Sequence, residues 1–299
     1  MPRRFGGMLV RKMEKAQIRP PLIAQSRQSL PYSADELICV CISRRIKDGD
    51  VVAVGLATPL AAVGALLAQR THAPAIYLGS AIGQSFCRAG PRLELQGAEG
   101  SWLAHSMGSF GFVQAAADFL PAVRPLEFFR PGQIDQWGNF NNLAIGRDIK
   151  RPRLRMPGSG GIPDVTVLLE QIHLYVPRHS RVTFVPRLDV ISGLGHSSRR
   201  RLGAGPVYLV SDLGQFDFEG GELRLTHLHP GVRIENVRAK TGFELRVSEQ
   251  LEVSEPPSEH ELGLLREEID PLGLRRLELL GGAKRREALR EIIRAEAAR

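Results

Sequence analysis

The sequence predicts an α/β protein with an open, mostly parallel sheet and flanking helices. Two observations carry this. Val51-Val52-Ala53-Val54-Gly55 and Ala75-Ile76-Tyr77-Leu78 are short, continuous apolar runs, the pattern of parallel strands covered on both faces. Between them, Leu60 to Arg70 is rich in small apolar residues and follows Thr58-Pro59, with proline in its tolerated place in the first turn of a helix. Strand, helix and strand in this order form a βαβ unit, whose crossover is right-handed.

The other elements follow along the chain. Ser33-Ala34-Asp35-Glu36 has the spacing of a capping box ahead of the amphipathic stretch Leu37 to Ile46. Met107 to Phe119 reads as a helix and Leu126-Glu127-Phe128-Phe129 as a strand. Pro131 to Asn139 is a turn-rich loop carrying several side-chain amides, which is unusual for a mere connection. Strands are then expected at Val165 to Leu169, Val182 to Val185 and Val207 to Val210. Glu219-Gly220-Gly221-Glu222 joins Gln215–Phe218 to Leu223–Leu225 as a hairpin. From Ser258 onward, where Glu261 completes a second capping box, the chain reads as helical and charged, with a solvated final turn. The expected organisation is a basic, mobile arm over 1–32, an α/β domain over 33–272 and a charged helical extension over 273–299.

With 299 residues, 43% of them hydrophobic, the chain can bury a full core. No apolar run is long enough to span a bilayer and no secretory signal is evident, so a cytoplasmic location is expected. The cysteines Cys39, Cys41 and Cys87 suggest neither a disulfide framework nor a zinc site; buried thiols in a reducing compartment are expected. The formal charge of +8 is concentrated near the N-terminus, in Arg147 to Arg155 and in Arg199-Arg200-Arg201. Without aromatic residues interleaved, these clusters do not make a nucleic-acid platform. They would equally suit a phosphate-bearing small molecule.

Gly158-Ser159-Gly160-Gly161 is the clearest ligand signal, because a glycine-rich turn can point backbone N–H groups at an anion or oxyanion. It lacks both the dinucleotide-binding glycine pattern and the Lys-Ser/Thr of a P-loop. His227-Leu228-His229 has no carboxylate or thiol at ligand spacing, which favours structural histidines over a metal site. Ser192, His196 and Asp189 lack a nucleophile elbow. At the end of the second strand, where α/β proteins place their chemistry, stand Leu78-Gly79-Ser80, with no reactive side chain among the carboxylates, thiols or imidazoles.

Taken as an ordered set, IKDGDVVAVGLATPLAAVGALLAQRTHAPAIYLGS, PGQIDQWGNFNN, PGSGG, VSDLGQFDFEGG, HPGV, TGFEL and LLREEIDP resemble the β subunit of glutaconate-type class I CoA-transferases over roughly residues 33 to 272. The resemblance implies a CoA-transferase-like α/β subunit that pairs with a homologous α subunit, commonly as a heterotetramer of two α and two β chains. It also implies an acyl-CoA thioester as substrate and no permanently bound cofactor. In the transferases a glutamate at the end of the second strand attacks the thioester; aligning IYLGSAIG puts Gly79 at that position and Ser80 beside it.

Relatives that lack this glutamate include a ring-opening hydrolase, whose working glutamate lies on the α subunit, and a decarboxylase with cysteine in its place. VSDLGQFDF and LHPGV look more like the hydrolase β chain. The resemblance thus implies hydrolytic C–C cleavage, or another non-transfer reaction, with no catalytic residue on this chain. The alternatives are a non-catalytic subunit supporting an active α partner and a genuine transferase subunit. By the same resemblance Gly158, Ser159, Gly160 and Gly161 form the oxyanion loop, Ser80 lines the pocket, and Gln133, Asn139 and Asn142 contact substrate or brace the loop. Arg147, Lys150 and Arg153 would either form a solvated charge run or meet the CoA phosphates.

Overall fold

The computed structural model describes residues 31–55, 57–146, 148–198 and 200–299. Nearly all of the expected N-terminal arm lies outside the described residues, as do Arg147 and Arg199. Ten strands form one sheet: β1 Val51–Val54, β2 Tyr77–Ser80, β3 Ser85–Cys87, β4 Ser106–Ser109, β5 Leu126–Phe129, β6 Ile172–Val176, β7 Pro206–Ser211, β8 Gly214–Glu219, β9 Glu222–Leu228 and β10 Arg246–Val253. Their order is β10-β9-β8-β7-β6-β5-β1-β2-β3-β4. The run from β7 to β2 is parallel. On its two sides β7-β8-β9 and β2-β3-β4 continue as antiparallel hairpins.

The helices include α1 Ala34–Ser43, α2 Pro59–Arg70, α3 Ala98–Ala104, α4 Ile162–Leu168, α5 Ile234–Lys240 and α6 Gly282–Ala297, with further helical segments over 112–123 and, near the C-terminus, 259–269 and 274–278. The expected βαβ unit is β1-α2-β2. Its first apolar run is shorter by one residue, and its second strand lies two residues further on, so Gly79 and Ser80 are inside β2.

Alternation along the strands separates two cores. Val52, Val54, Leu78, Phe128, Tyr175 and Val210 face one way, toward α1, α2 and the C-terminal helices. Phe129, Ile172, Leu174, Leu209 and Phe216 face the other, toward the loop around Ile134 and Phe140, helix α4 and Val237 of α5. Helices α1 and α2 touch closely at Gly64, where a Cβ atom would lie 2.4 Å from the Ile42 side chain.

The C-terminal segment is stitched into the first core. The Leu60 N–H at the start of α2 donates to Glu278 at 2.9 Å, and Arg130 meets the same carboxylate at 2.8 Å. Arg275 pairs with Asp35 at 2.9 Å and with Glu36 and Asp270 at 3.0 Å each. In α6, Ile292 is buried and Glu296 accepts the Leu95 and Gln96 N–H groups at 2.7 and 2.8 Å. Glu296 thus ties the end of α6 to the 95–96 backbone, while residues 297–299 stay exposed.

Three local expectations are corrected. Residues 106–109 form β4, and the helix expected from Met107 begins at Phe112 and continues through a π turn to Val123. Val165–Leu168 belongs to α4, not to a strand, because Gly161 and Pro163 set up a helix start that overrides the β-branched run. Val182–Val185 is not a strand; Phe184 makes a single bridge to Ile134.

Candidate active site

The end of β2 sits in a row of residues that share one face of the sheet. Across four strands the register pairs Phe86 with Gly79, Gly79 with Ala53, and Ala53 with Glu127. This row is on the side opposite Val52, Val54 and Leu78, and its members keep part of their surface open. The loops leaving β1 and β2 contain Ala57 and Gln84 at φ 54° and 48°, a left-handed conformation that costs side-chain-bearing residues energy and concentrates at working sites.

Gly79 is not an empty place. A Cβ atom there would lie 3.3 Å from Cε1 of Phe119. Phe119 in turn packs edge-on to Phe86 at 5.2 Å and against Phe110 at 5.0 Å, so an aromatic cluster stands where a catalytic side chain would extend. The place beside Gly79 is thus faced by a ring from the chain itself.

The helical segment over 112–123 connects this row to the glycine loop. Phe112 reaches within 3.9 Å of the place of a Cβ on Gly161, and the seven steps from Phe112 to Phe119 span about 10 Å of helix. Gly158 and Gly160 adopt φ of 115° and 49°, with open space where side chains would be. The backbone N–H groups of Gly160 and Gly161 donate to no acceptor among the described residues. Ser159 turns the loop into α4 through its carbonyl, which accepts the Ile162 N–H at 2.8 Å.

Other expected site residues are committed elsewhere. Ser80 is buried on the opposite face from Gly79, and its hydroxyl accepts the Ile82 N–H at 3.0 Å. The amides brace the 131–142 loop: Gln133 accepts from Asn141 at 2.8 Å, Asn139 bonds Asp135 and accepts the Gly195 N–H, and Asn142 accepts the Gly132 N–H at 2.7 Å. Lys150 and Arg153 are exposed and make no ion pair among the described residues.

The residues set aside as structural have local partners. His229 is buried, and its ring nitrogens meet Ser254 and the Ser211 carbonyl at 2.9 and 2.7 Å. Burial pushes the His229 ring down to about 4, which keeps it neutral. Ser192, His196 and Asp189 form no relay: Ser192 serves the Asn142 N–H, His196 the Pro206 carbonyl, and Asp189 the Gly146 N–H. All three cysteines are buried and free, and burial pushes the Cys87 thiol up, away from a thiolate. Among the described residues no helix is long and apolar enough to cross a membrane.

One group escaped the sequence reading. The Glu127 side chain, inside β5, makes no hydrogen bond or ion pair among the described residues. Its Oε1 approaches to 3.7 Å of the Cβ position of Gly55, at the end of β1. Burial pushes its carboxyl up to about 7. The available signal was a carboxylate interrupting an otherwise apolar strand.

Comparison with known proteins gives these features a frame. The chain is 32% identical over 255 residues to a 3-oxoadipate CoA-transferase subunit of Pseudomonas knackmussii, covering 79% of this chain and 92% of that one. It is also 32% identical over 260 residues to the cholesterol ring-cleaving hydrolase IpdB subunit of Mycobacterium bovis, covering 82% and 97%. The crystal structure of the decarboxylase AibA/AibB superposes with a TM-score of 0.72 at 30% identity, over 84% of this chain and 99% of that chain. Residues 36–240 match the model of the coenzyme A transferase family. By that match and these relatives, the chain belongs to the coenzyme A transferase family.

Proposed function

We propose that this chain is the β-type subunit of a heteromeric enzyme that acts on an acyl-CoA thioester without forming an acyl intermediate on the chain itself. The observation that carries this reading is the end of β2, where Gly79 lies under the edge of Phe119. Nucleophilic carboxylate catalysis needs a side chain at that point, and glycine has none. Hydrolytic C–C cleavage, or another non-transfer reaction, fits this arrangement better than CoA transfer. The hydrolase and decarboxylase among the relatives support the same direction.

In this reading the free N–H groups of Gly160 and Gly161 hold a thioester or enolate oxygen, as preorganised donors do where negative charge develops. Lys150 and Arg153 lie exposed for the CoA phosphates, and a homologous α subunit completes the site. Coexpression with that subunit tests the proposal. The complex should bind and turn over an acyl-CoA, while hydroxylamine trapping should yield no adduct on this chain. A covalent acyl or CoA adduct mapped to residues 77–81 would overturn the reading.

A further inference from the structure

The carboxylate missing at Gly79 has a counterpart two strands away. Glu127, Ala53 and Gly79 lie side by side on one face of the sheet, and strand spacing puts Glu127 about 10 Å from Gly79. Glu127 keeps some accessible surface, approaches Gly55 at the exit of β1, and has no partner among the described residues. A carboxylate set into the middle of a parallel sheet is normally paired, because leaving it unpaired costs stability. An unpaired one, beside the strand ends where this fold does its chemistry, is a candidate to meet a ligand.

We infer that Glu127 is a proton-transfer residue for the acyl-CoA site, taking and returning a proton without ever being acylated. This rests on the proposed non-transfer reading. In hydrolytic C–C cleavage the water oxygen bonds to the electrophilic carbon as its proton passes to the Glu127 carboxylate. The C–C bond then breaks, its electron pair forms the thioester enolate, and Glu127 returns the proton to the α-carbon. One water is added and nothing else is consumed. The second half, run backward, is removal of an α-proton from an acyl-CoA by Glu127.

The groups around Glu127 leave its proton affinity to burial alone. Ala53 on β1, Ile172 on β6 and Gly55 carry no charge, and desolvation is the one cause of its raised pKa. Exchange should therefore rise with pH through a midpoint at about 7 and level off above it.

The test uses the complex with the α subunit, and acetyl-, butyryl- and glutaryl-CoA in deuterated buffer, with α-deuterium incorporation read by mass spectrometry. Expected is exchange by the wild type with that midpoint. Glu127→Gln should slow it by about 100-fold or more without weakening acyl-CoA binding, and Glu127→Asp should restore part of it. Exchange by Glu127→Gln within about threefold of wild type, or bound acyl-CoA that never exchanges in the wild type, overturns the role of Glu127 and leaves the enzyme reading to its own turnover test. A wild-type complex that binds none of the thioesters overturns both. Thermal unfolding of each variant separates loss of chemistry from loss of fold.

Discussion

Replacing Gly79 by glutamate tests the contact that defines the strand end. The new Cβ would meet Phe119 at 3.3 and 3.6 Å, so the ring must give by a few tenths of an ångström. That displacement loosens contacts with Phe86 and Phe110, each aromatic pair contributing about 0.5–1.5 kcal/mol. Relief from replacing a strand glycine offsets about 0.5–1 kcal/mol of this. A carboxylate set among three phenylalanine rings adds a desolvation cost of about 1–3 kcal/mol. The net expectation is a loss of about 2 kcal/mol. Phe119→Ala alone removes both ring pairs and should also cost about 2 kcal/mol. In Gly79→Glu/Phe119→Ala the crowding is gone, so the double variant should be at least about 1 kcal/mol more stable than the sum predicts. Urea unfolding of all four proteins measures the coupling. Additivity within about 0.5 kcal/mol would refute the idea that Phe119 occupies the place of the catalytic side chain.

Glu127→Gln should stabilise the protein only at high pH. The carboxyl is raised from 4.5 to about 7 on folding, so the wild type loses stability as pH rises through that window, and the variant does not. The full shift corresponds to about 3 kcal/mol, which partial exposure reduces to about 1–2 kcal/mol; urea midpoints for the two proteins should converge at pH 4 and separate at pH 8. Glu36 behaves in the opposite sense. Burial raises its carboxyl, but hydrogen bonds from Arg266 and Ser33 and the charge of Arg275 outweigh this and hold it at about 2. Its contribution should be complete above pH 4.5 and vanish as pH falls toward 2, and Glu36→Gln should flatten acid unfolding across that range. Gly64→Ala should cost about 3 kcal/mol, because the added methyl would overlap Ile42 and force α1 and α2 apart; an unchanged thermal midpoint would contradict their close approach.

The central βαβ unit was legible because local pattern and tertiary role agree there: β1 is a continuous apolar run and α2 starts at Pro59. Elsewhere context overrode pattern. Val165-Thr166-Val167 favours a strand by its branching, yet it follows a glycine turn and a first-turn proline and lies in α4. β6, the strand between β5 and β7, went unread because Ile172-His173-Leu174-Tyr175-Val176 carries a histidine within the run. At the candidate site, the lack of a reactive side chain at the end of β2 was visible as Gly79 within a motif. What covers it was not, since Phe119 lies 40 residues further along the chain and only folding brings the two together. Ser80, as the strand neighbour of Gly79, points to the opposite face, which sequence adjacency does not show.

The carboxylate of Glu278 closes the first turn of α2 through the Leu60 N–H, across 218 residues of chain. At about 5–20 residues per second on the ribosome, that interval lasts about 10–45 s. During it α2 exists with an uncapped N-terminus, and Arg130 and Tyr175 wait for the same acceptor. The native first core is thus completed only when the segment around Glu278 has emerged. A subunit built this way presents its finished surface to another chain only after the segment around Glu278 has been made, which ties assembly to that contact rather than to the appearance of the first strands.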